Sequence, residues 1–266
     1  MAKVTTIRLK EMKEKNEKIT MLTAYDYTMA RILDEAGIDV LLVGDSLGMV
    51  ILGYENTLPV TIDDINHYTW PVSHGAKNAL VVADMPFMSY EIEISEAVRN
   101  AGMLLKEGGA HAVKVEGGAE IAQTIEAMVK AKIPVMGHIG LTPQAIHQIG
   151  GYKIQGRDSQ EAKRLISDAL ALEGAGIFAL VLECIPYLLA KEITESIKIP
   201  TIGIGAGPHC DGQVLVIHDL LGLYEELRPK FVKRYRELGR EIKEAVSEFI
   251  EEVRGGKFPT PKESYE

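Results

Sequence analysis

The chain has 266 residues, 46% apolar and 25% charged, with a formal net charge of −9. That length suits one large domain or two small ones, and the apolar share supports a sizeable core and excludes a disordered chain. The acidic balance argues against a general nucleic-acid binder, which needs a basic face, but not against a locally positive pocket for a small anion.

The N-terminal stretch "MAKVTTIRLKEMKEKNEKI" alternates charge with single apolar residues, so it reads as a short extension rather than a secretory signal. No run approaches the ~18 apolar residues of a membrane span. Only two cysteines occur, Cys184 and Cys210, which form neither a disulfide framework nor a zinc spacing. A soluble chain of the reducing cytoplasm is expected.

Short apolar runs follow in order: 19–26, 40–46, 79–86, 112–118, 133–140, 177–186, 199–207 and 214–222. Most are apolar on both faces, as strands of a helix-covered parallel sheet should be. Helix-like segments lie between them. Segment 27–37 places Met29, Ile32, Leu33 and Ala36 on one stripe and stops at a glycine; 95–109, 119–132, 159–176 and 188–198 follow suit. Eight strands alternating with helices predict a (β/α)8 barrel, with a doubly wound open sheet as the alternative. The weak point is "PHCDGQ" between the last two runs, too short for a crossover helix, so one of those two strands is in doubt. A long amphipathic helix is expected over 229–253, with Phe231, Tyr235, Leu238, Ile242, Val246, Phe249, Ile250 and Val253 at helical spacing. It packs on the barrel or makes a subunit contact. The tail, about 255–266, reads as mobile, and residues 1–266 as a single barrel domain.

In "HAVKVEGG" (111–118), Ala112, Lys114 and Glu116 share one strand face and Val113 and Val115 the other. If both faces are buried, a cation and an anion are held inside. Asp45, Asp84, His138 and Glu183 likewise stand near the C-terminal ends of their own runs. In a parallel barrel those ends open onto one face, where active sites are built. Each residue has a plainer reading: an N-cap for Asp45, a turn start for Asp84, a structural ion pair for Lys114 and Glu116, a core histidine for His138. Five strand ends sharing one pocket explain the pattern more simply.

Several carboxylates with few histidines and no thiolate pair make an oxygen-ligand site, suited to Mg2+ rather than zinc. Asp45 and Asp84 supply the protein ligands, with Glu116 a third or water-linked one. A 2-oxo acid chelates through its carboxylate and keto oxygens, Lys114 supports the developing enolate, and Glu183, in an apolar setting, is the candidate base.

At these residues a resemblance emerges. "MLTAYDYTMARILDEAGID", "LLVGDSLGMVILGYENTLPVT", "VVADMPFMSY", "AVKVEGG", "GHIGLTPQ", "LVLECIP" and "TIGIGAGPHCDGQVLV" closely resemble the ketopantoate hydroxymethyltransferase family, in order, over about residues 3–255. The resemblance implies a barrel of the phosphoenolpyruvate-utilising type and a step toward pantothenate and coenzyme A. It implies transfer of a one-carbon unit from 5,10-methylenetetrahydrofolate to C3 of 3-methyl-2-oxobutanoate, giving 2-dehydropantoate, with one Mg2+ per subunit. It further implies Asp45 and Asp84 as metal ligands with Glu116 the further metal-associated position. Substrate contacts fall at Asp45, Ser46, Asp84 and Lys114 with His138 nearby, and Glu183 is the proton acceptor. A homo-oligomer, typically a decamer, is implied too. The alternatives are a Mg2+-dependent 2-oxo acid lyase, a Schiff-base aldolase using Lys114, and a non-catalytic barrel scaffold.

Two stretches stand apart. "GIGAG" (203–207) lacks the dinucleotide-binding spacing and following helix, leaving a tight turn or a close backbone approach to the site. The long polar loop 141–158, just beyond His138, is expected to be a lid over the substrate.

Overall fold

The computed structural model describes residues 3–226 and 229–265. Its strands are β1 (Ile19–Thr23), β2 (Val40–Val43), β3 (Leu80–Asp84), β4 (Ala112–Glu116), β5 (Val135–Gly140), β6 (Ala179–Glu183), β7 (Thr201–Ile204) and β8 (Gly212–Leu215). Every neighbour pair is parallel, and β1 pairs with β8 from Ile19↔Gly212 to Leu22↔Leu215, so the sheet is a closed barrel. Closure removes the open-sheet alternative.

The helices are α1 (Thr6–Glu14), α2 (Tyr27–Glu35), α3 (Leu47–Val50), α4 (Ile62–Gly75), α5 (Ile94–Lys106), α6 (Ala122–Lys130), α7 (Ile146–Ile149), α8 (Ser159–Ala175), α9 (Tyr187–Ser196), α10 (Ile217–Leu221) and α11 (Leu238–Arg254). The chain divides into two units, residues 1–216, which hold the barrel, and 217–266.

Alternation along the strands builds the interior. Val40 and Leu42, Leu80 and Val82, Ala112, Met136, Ala179 and Val181, Ile202 and Val214 form one buried cluster, joined by Leu9 and Met12 of α1. Two positions on from Val82, Ala112, Met136 and Val181 stand Asp84, Lys114, His138 and Glu183, with Glu116 after Lys114. Charge therefore begins where the apolar filling stops, at the C-terminal end of the strands. The N-terminal stretch is no loose extension: Thr5 caps α1 by accepting from the Arg8 N–H.

Several expectations need correction. Both β7 and β8 are strands, although 205–211 carries no helix. A loop of that length reaches about 23 Å, more than the ~13 Å needed to return along a four-residue strand. On α2 the buried residues are Ala30, Leu33 and Asp34, while Ile32 is half exposed. Asp34 faces inward because its carboxylate accepts from the backbone N–H groups of Asn78 and Ala79 at 2.8 and 2.7 Å. In the second unit, α11 begins at Leu238, so Phe231 and Tyr235 lie before it. No residue of α11 is buried, and Ile242, Val246 and Phe249 on it are each about half exposed.

Candidate functional site

Gly44 follows the interior position Leu42 and has no side chain where the barrel begins to open. A Cβ there would meet Ser46 Oγ at 2.9 Å and Asp84 Oδ2 at 3.4 Å. The space admits the Asp84 carboxylate, whose Oδ2 accepts the Asp45 backbone N–H at 3.0 Å. Asp45 is not an N-cap. Its Oδ2 accepts from Gln144 Nε2 at 2.9 Å, and Ser46 stands at the N-cap of α3 without a capping bond. Ser46 Oγ instead lies 2.9 Å from the Tyr25 hydroxyl.

Strand register brings the other groups together. Asp84 stands beside Lys114, and Glu116 beside His138. Lys114 Nζ lies 2.7 Å from Asp84 Oδ1, 3.6 Å from Glu116 Oε1 and 3.2 Å from His138 Nδ1. His138 spans the gap to the next strand, with Nδ1 3.2 Å from Glu116 Oε1 and Nε2 3.2 Å from Glu183 Oε2. Asp45, Asp84, Lys114, Glu116 and His138 are all buried, whereas the Glu183 side chain keeps 15% of its surface open. The six ionisable residues expected to meet are thus one connected set, and Ser46 adjoins it. Glu183 is not in a wholly apolar setting, since the imidazole stands against it.

Burial, together with repulsion from Asp84 and Glu116, raises the Asp45 carboxyl well above the usual carboxylate range. Burial also raises Asp84, against the pull of Lys114. Burial would lower Lys114, but the Asp84, Glu116 and Asp45 carboxylates outweigh it and hold the ammonium above the ordinary lysine value. Glu116 is lowered: burial opposes this, and His138, Lys114 and the Gln144 N–H prevail. For His138, burial and Lys114 pull down, while Glu116 and the bonds to Glu116 and Glu183 lift it to about 9.

Among the described residues, no group of three or more His, Cys, Asp or Glu side chains is disposed to hold a metal ion. Mg2+ needs less, because it takes one or two carboxylates and keeps water or substrate oxygens elsewhere. Asp45 and Asp84 fit that role on two observations. They are buried carboxylates that repel each other. Asp84 Oδ1 also has no aligned hydrogen-bond donor, despite its close ion-pair contact with Lys114.

Three neutral residues complete the site and escaped the sequence reading. Gln144, Tyr90 and Tyr25 are buried, and all three touch the charged set or its immediate neighbours. Their only signal was position: Tyr25 follows β1, and Tyr90 and Gln144 close the stretches after β3 and β5. "GIGAG" acts as a tight turn, with Gly205 and Gly207 at φ of 64° and 79°. A Cβ on Gly207 would sit 2.3 Å from Tyr187 Cβ, so the close approach is to a side chain of α9. Loop 141–158 is anchored to the site along its length. The Leu141 N–H donates to the Glu183 carbonyl at 2.8 Å and the Gln155 N–H to the Cys184 carbonyl at 2.9 Å. With Gly117, Gly118 and α8 residues such as Arg164, the loop lines an open cavity of about 730 Å3, whose walls include none of the six charged residues.

Residues 3–261 match the family described as ketopantoate hydroxymethyltransferase. The 3-methyl-2-oxobutanoate hydroxymethyltransferase of Syntrophus aciditrophicus (strain SB) is 59% identical over 263 residues, 99% of this chain and 97% of the relative. That of Caldicellulosiruptor bescii is 58% identical over 265 residues, the full length of both. Among solved structures, phosphonopyruvate hydrolase in complex with oxalate and Mg2+ superposes with a TM-score of 0.63 at 14% identity, covering 98% of this chain and 92% of that one. A 2,3-dimethylmalate lyase of the PEP mutase/isocitrate lyase superfamily gives 0.61 at 18%, covering 97% and 92%. At such identity these two likenesses establish the barrel fold alone.

Proposed function

Because the chain belongs to the ketopantoate hydroxymethyltransferase family and is a hydroxymethyltransferase, we propose that it transfers a one-carbon unit from 5,10-methylenetetrahydrofolate to C3 of 3-methyl-2-oxobutanoate, giving 2-dehydropantoate. The observation that carries this reading is the buried charged set drawn from five strands, with the slightly open carboxylate of Glu183 at its rim.

Asp45 and Asp84 would hold Mg2+, with Glu116 the further metal-associated position. When bound, the ion supplies positive charge to the carboxylate and keto oxygen of the oxo acid. The Lys114 ammonium, fixed between Asp84 and Glu116, stabilises the oxygen that becomes negative as C3 loses its proton. Glu183 accepts that proton, with His138 Nε2 standing 3.2 Å from its carboxylate. Ser46, held by Tyr25, contacts the substrate. The C3 carbanion forms a bond to the folate-borne methylene carbon, the two carbon–nitrogen bonds to the carrier break, water contributes the hydroxyl, and the carrier's two nitrogens take up one proton lost from C3 and one from that water.

Lys114 is a poor Schiff-base amine, because its carboxylate neighbours keep it protonated. A homo-oligomer accords with the exposed apolar residues of α11, and the cytoplasm remains the proposed location. No described helix is long and apolar enough to cross a membrane.

The test is exchange of the C3 proton of 3-methyl-2-oxobutanoate in deuterated water, with and without Mg2+, followed by product formation on adding the folate. Metal-dependent exchange without a borohydride-trapped adduct is expected. A trapped adduct at Lys114, or no exchange by folded protein, rejects the mechanism.

A further inference from the structure

We propose that Gln144 is a positioning residue that fixes the carboxylates of Asp45 and Glu116 and fastens the root of the lid to them. The inference rests on the reading of Asp45 and Glu116 as the cation-binding side of the site.

Gln144 is buried, and its hydrogen bonds reach the loops after β2 and β3 and the end of β4 from its own place after β5. Nε2 donates to Asp45 Oδ2 at 2.9 Å and to the Met85 carbonyl at 3.0 Å. Oε1 accepts from the Tyr90 hydroxyl at 2.8 Å. The backbone N–H donates to Glu116 Oε2 at 3.1 Å. The side-chain amide thus uses both hydrogens and its oxygen within the protein.

The acceptors decide which way round the amide sits. Asp45 Oδ2 and the Met85 carbonyl take hydrogens, so the nitrogen end must face them. The oxygen end is left to the Tyr90 hydroxyl, which also lies 3.0 Å from the Glu116 carbonyl and accepts the Glu116 backbone N–H at 3.1 Å. One oxygen of each carboxylate is thereby tied down. Glu116 Oε1 is left toward Lys114 and His138, and Asp45 is held against rotation. Groups that orient ligating carboxylates in this way typically govern about 10–100-fold in metal affinity or activity.

The test uses Mn2+ alone as the probe, titrated by calorimetry into the full chain. Gln144→Met keeps the volume and removes the amide. Gln144→Glu keeps the shape but sets an acceptor against Asp45. Both should weaken Mn2+ binding about tenfold or more. Tyr90→Phe, which removes the bond to Oε1 and loosens the amide, should weaken it about threefold, and it stands in if the Gln144 variants do not fold. Amide hydrogen exchange across 141–158 should quicken in all three while β7 is unchanged. Parent-like Mn2+ affinity together with parent-like lid exchange in a folded variant overturns the proposal. A parent that binds no Mn2+ rejects the cation reading of the site, and the exchange comparison then still decides whether Gln144 fastens the lid.

Discussion

Replacing Lys114 by Met is the most informative single perturbation of the buried charge set. The ammonium lies 2.7 Å from Asp84 and 3.6 Å from Glu116. At an effective dielectric of ~20 those contacts are worth about 6 and about 5 kcal/mol of Coulomb attraction. Much of that is offset by the desolvation of a buried lysine, which the substitution removes. Breaking a buried pair from one side leaves a net loss of roughly 3–5 kcal/mol, since the carboxylates lose their counter-charge. For a chain of this size that lowers Tm by roughly 10 °C. Methionine matches the stem, so a packing defect is not the cause. Thermal unfolding by circular dichroism, without metal, reads the loss. Millimolar Mg2+ should restore more stability to the variant than to the parent, because it supplies charge the variant lacks. A Lys114→Met protein melting within ~2 °C of the parent in the absence of metal would refute the claim that Lys114 compensates the carboxylates.

Glu183→Gln should slow C3 proton exchange by about 100-fold or more while 3-methyl-2-oxobutanoate still binds; NMR in deuterated water measures both. Deleting residues 146–156 should leave the far-ultraviolet spectrum intact and abolish turnover; normal turnover by the folded deletion would end the lid reading. Asp34 provides a pH prediction. Burial would raise its pKa, but the N–H groups of Ala79 and Asn78 outweigh this and hold it below the ordinary value. Its stabilising contribution is therefore present above the unfolded pKa and is lost as pH falls through the folded one. Asp34→Asn should cost about 2 kcal/mol at pH 7, with the difference from the parent shrinking below about pH 4 in urea titrations.

Much of this molecule is legible along the chain. Strand identity depends on neighbours two residues apart, so all eight strands stand where apolar runs are found. The same alternation places Lys114 and Glu116 on the interior face beyond Ala112, and charge at five strand ends marks the mouth. Helix α4 was invisible, with Pro71 inside it and only Ile65, Thr69, Val72 and Gly75 buried. Its start is written locally in the Thr61–Asp64 capping box, but its place depends on α2. A Cβ on Gly75 would lie 2.6 Å from the Tyr27 carbonyl oxygen.

The sequence by itself determined where the apolar runs lie, their repeating βα order and which ends carry charge, because those follow from residue type and short-range period. Only the tertiary structure decided that the sheet closes, that 205–211 crosses without a helix, and that Gln144 and Tyr90 belong to the site. Gln144 meets Asp45 across 99 positions of sequence, and a neutral amide shows its role only through the partners that three-dimensional closure brings to it.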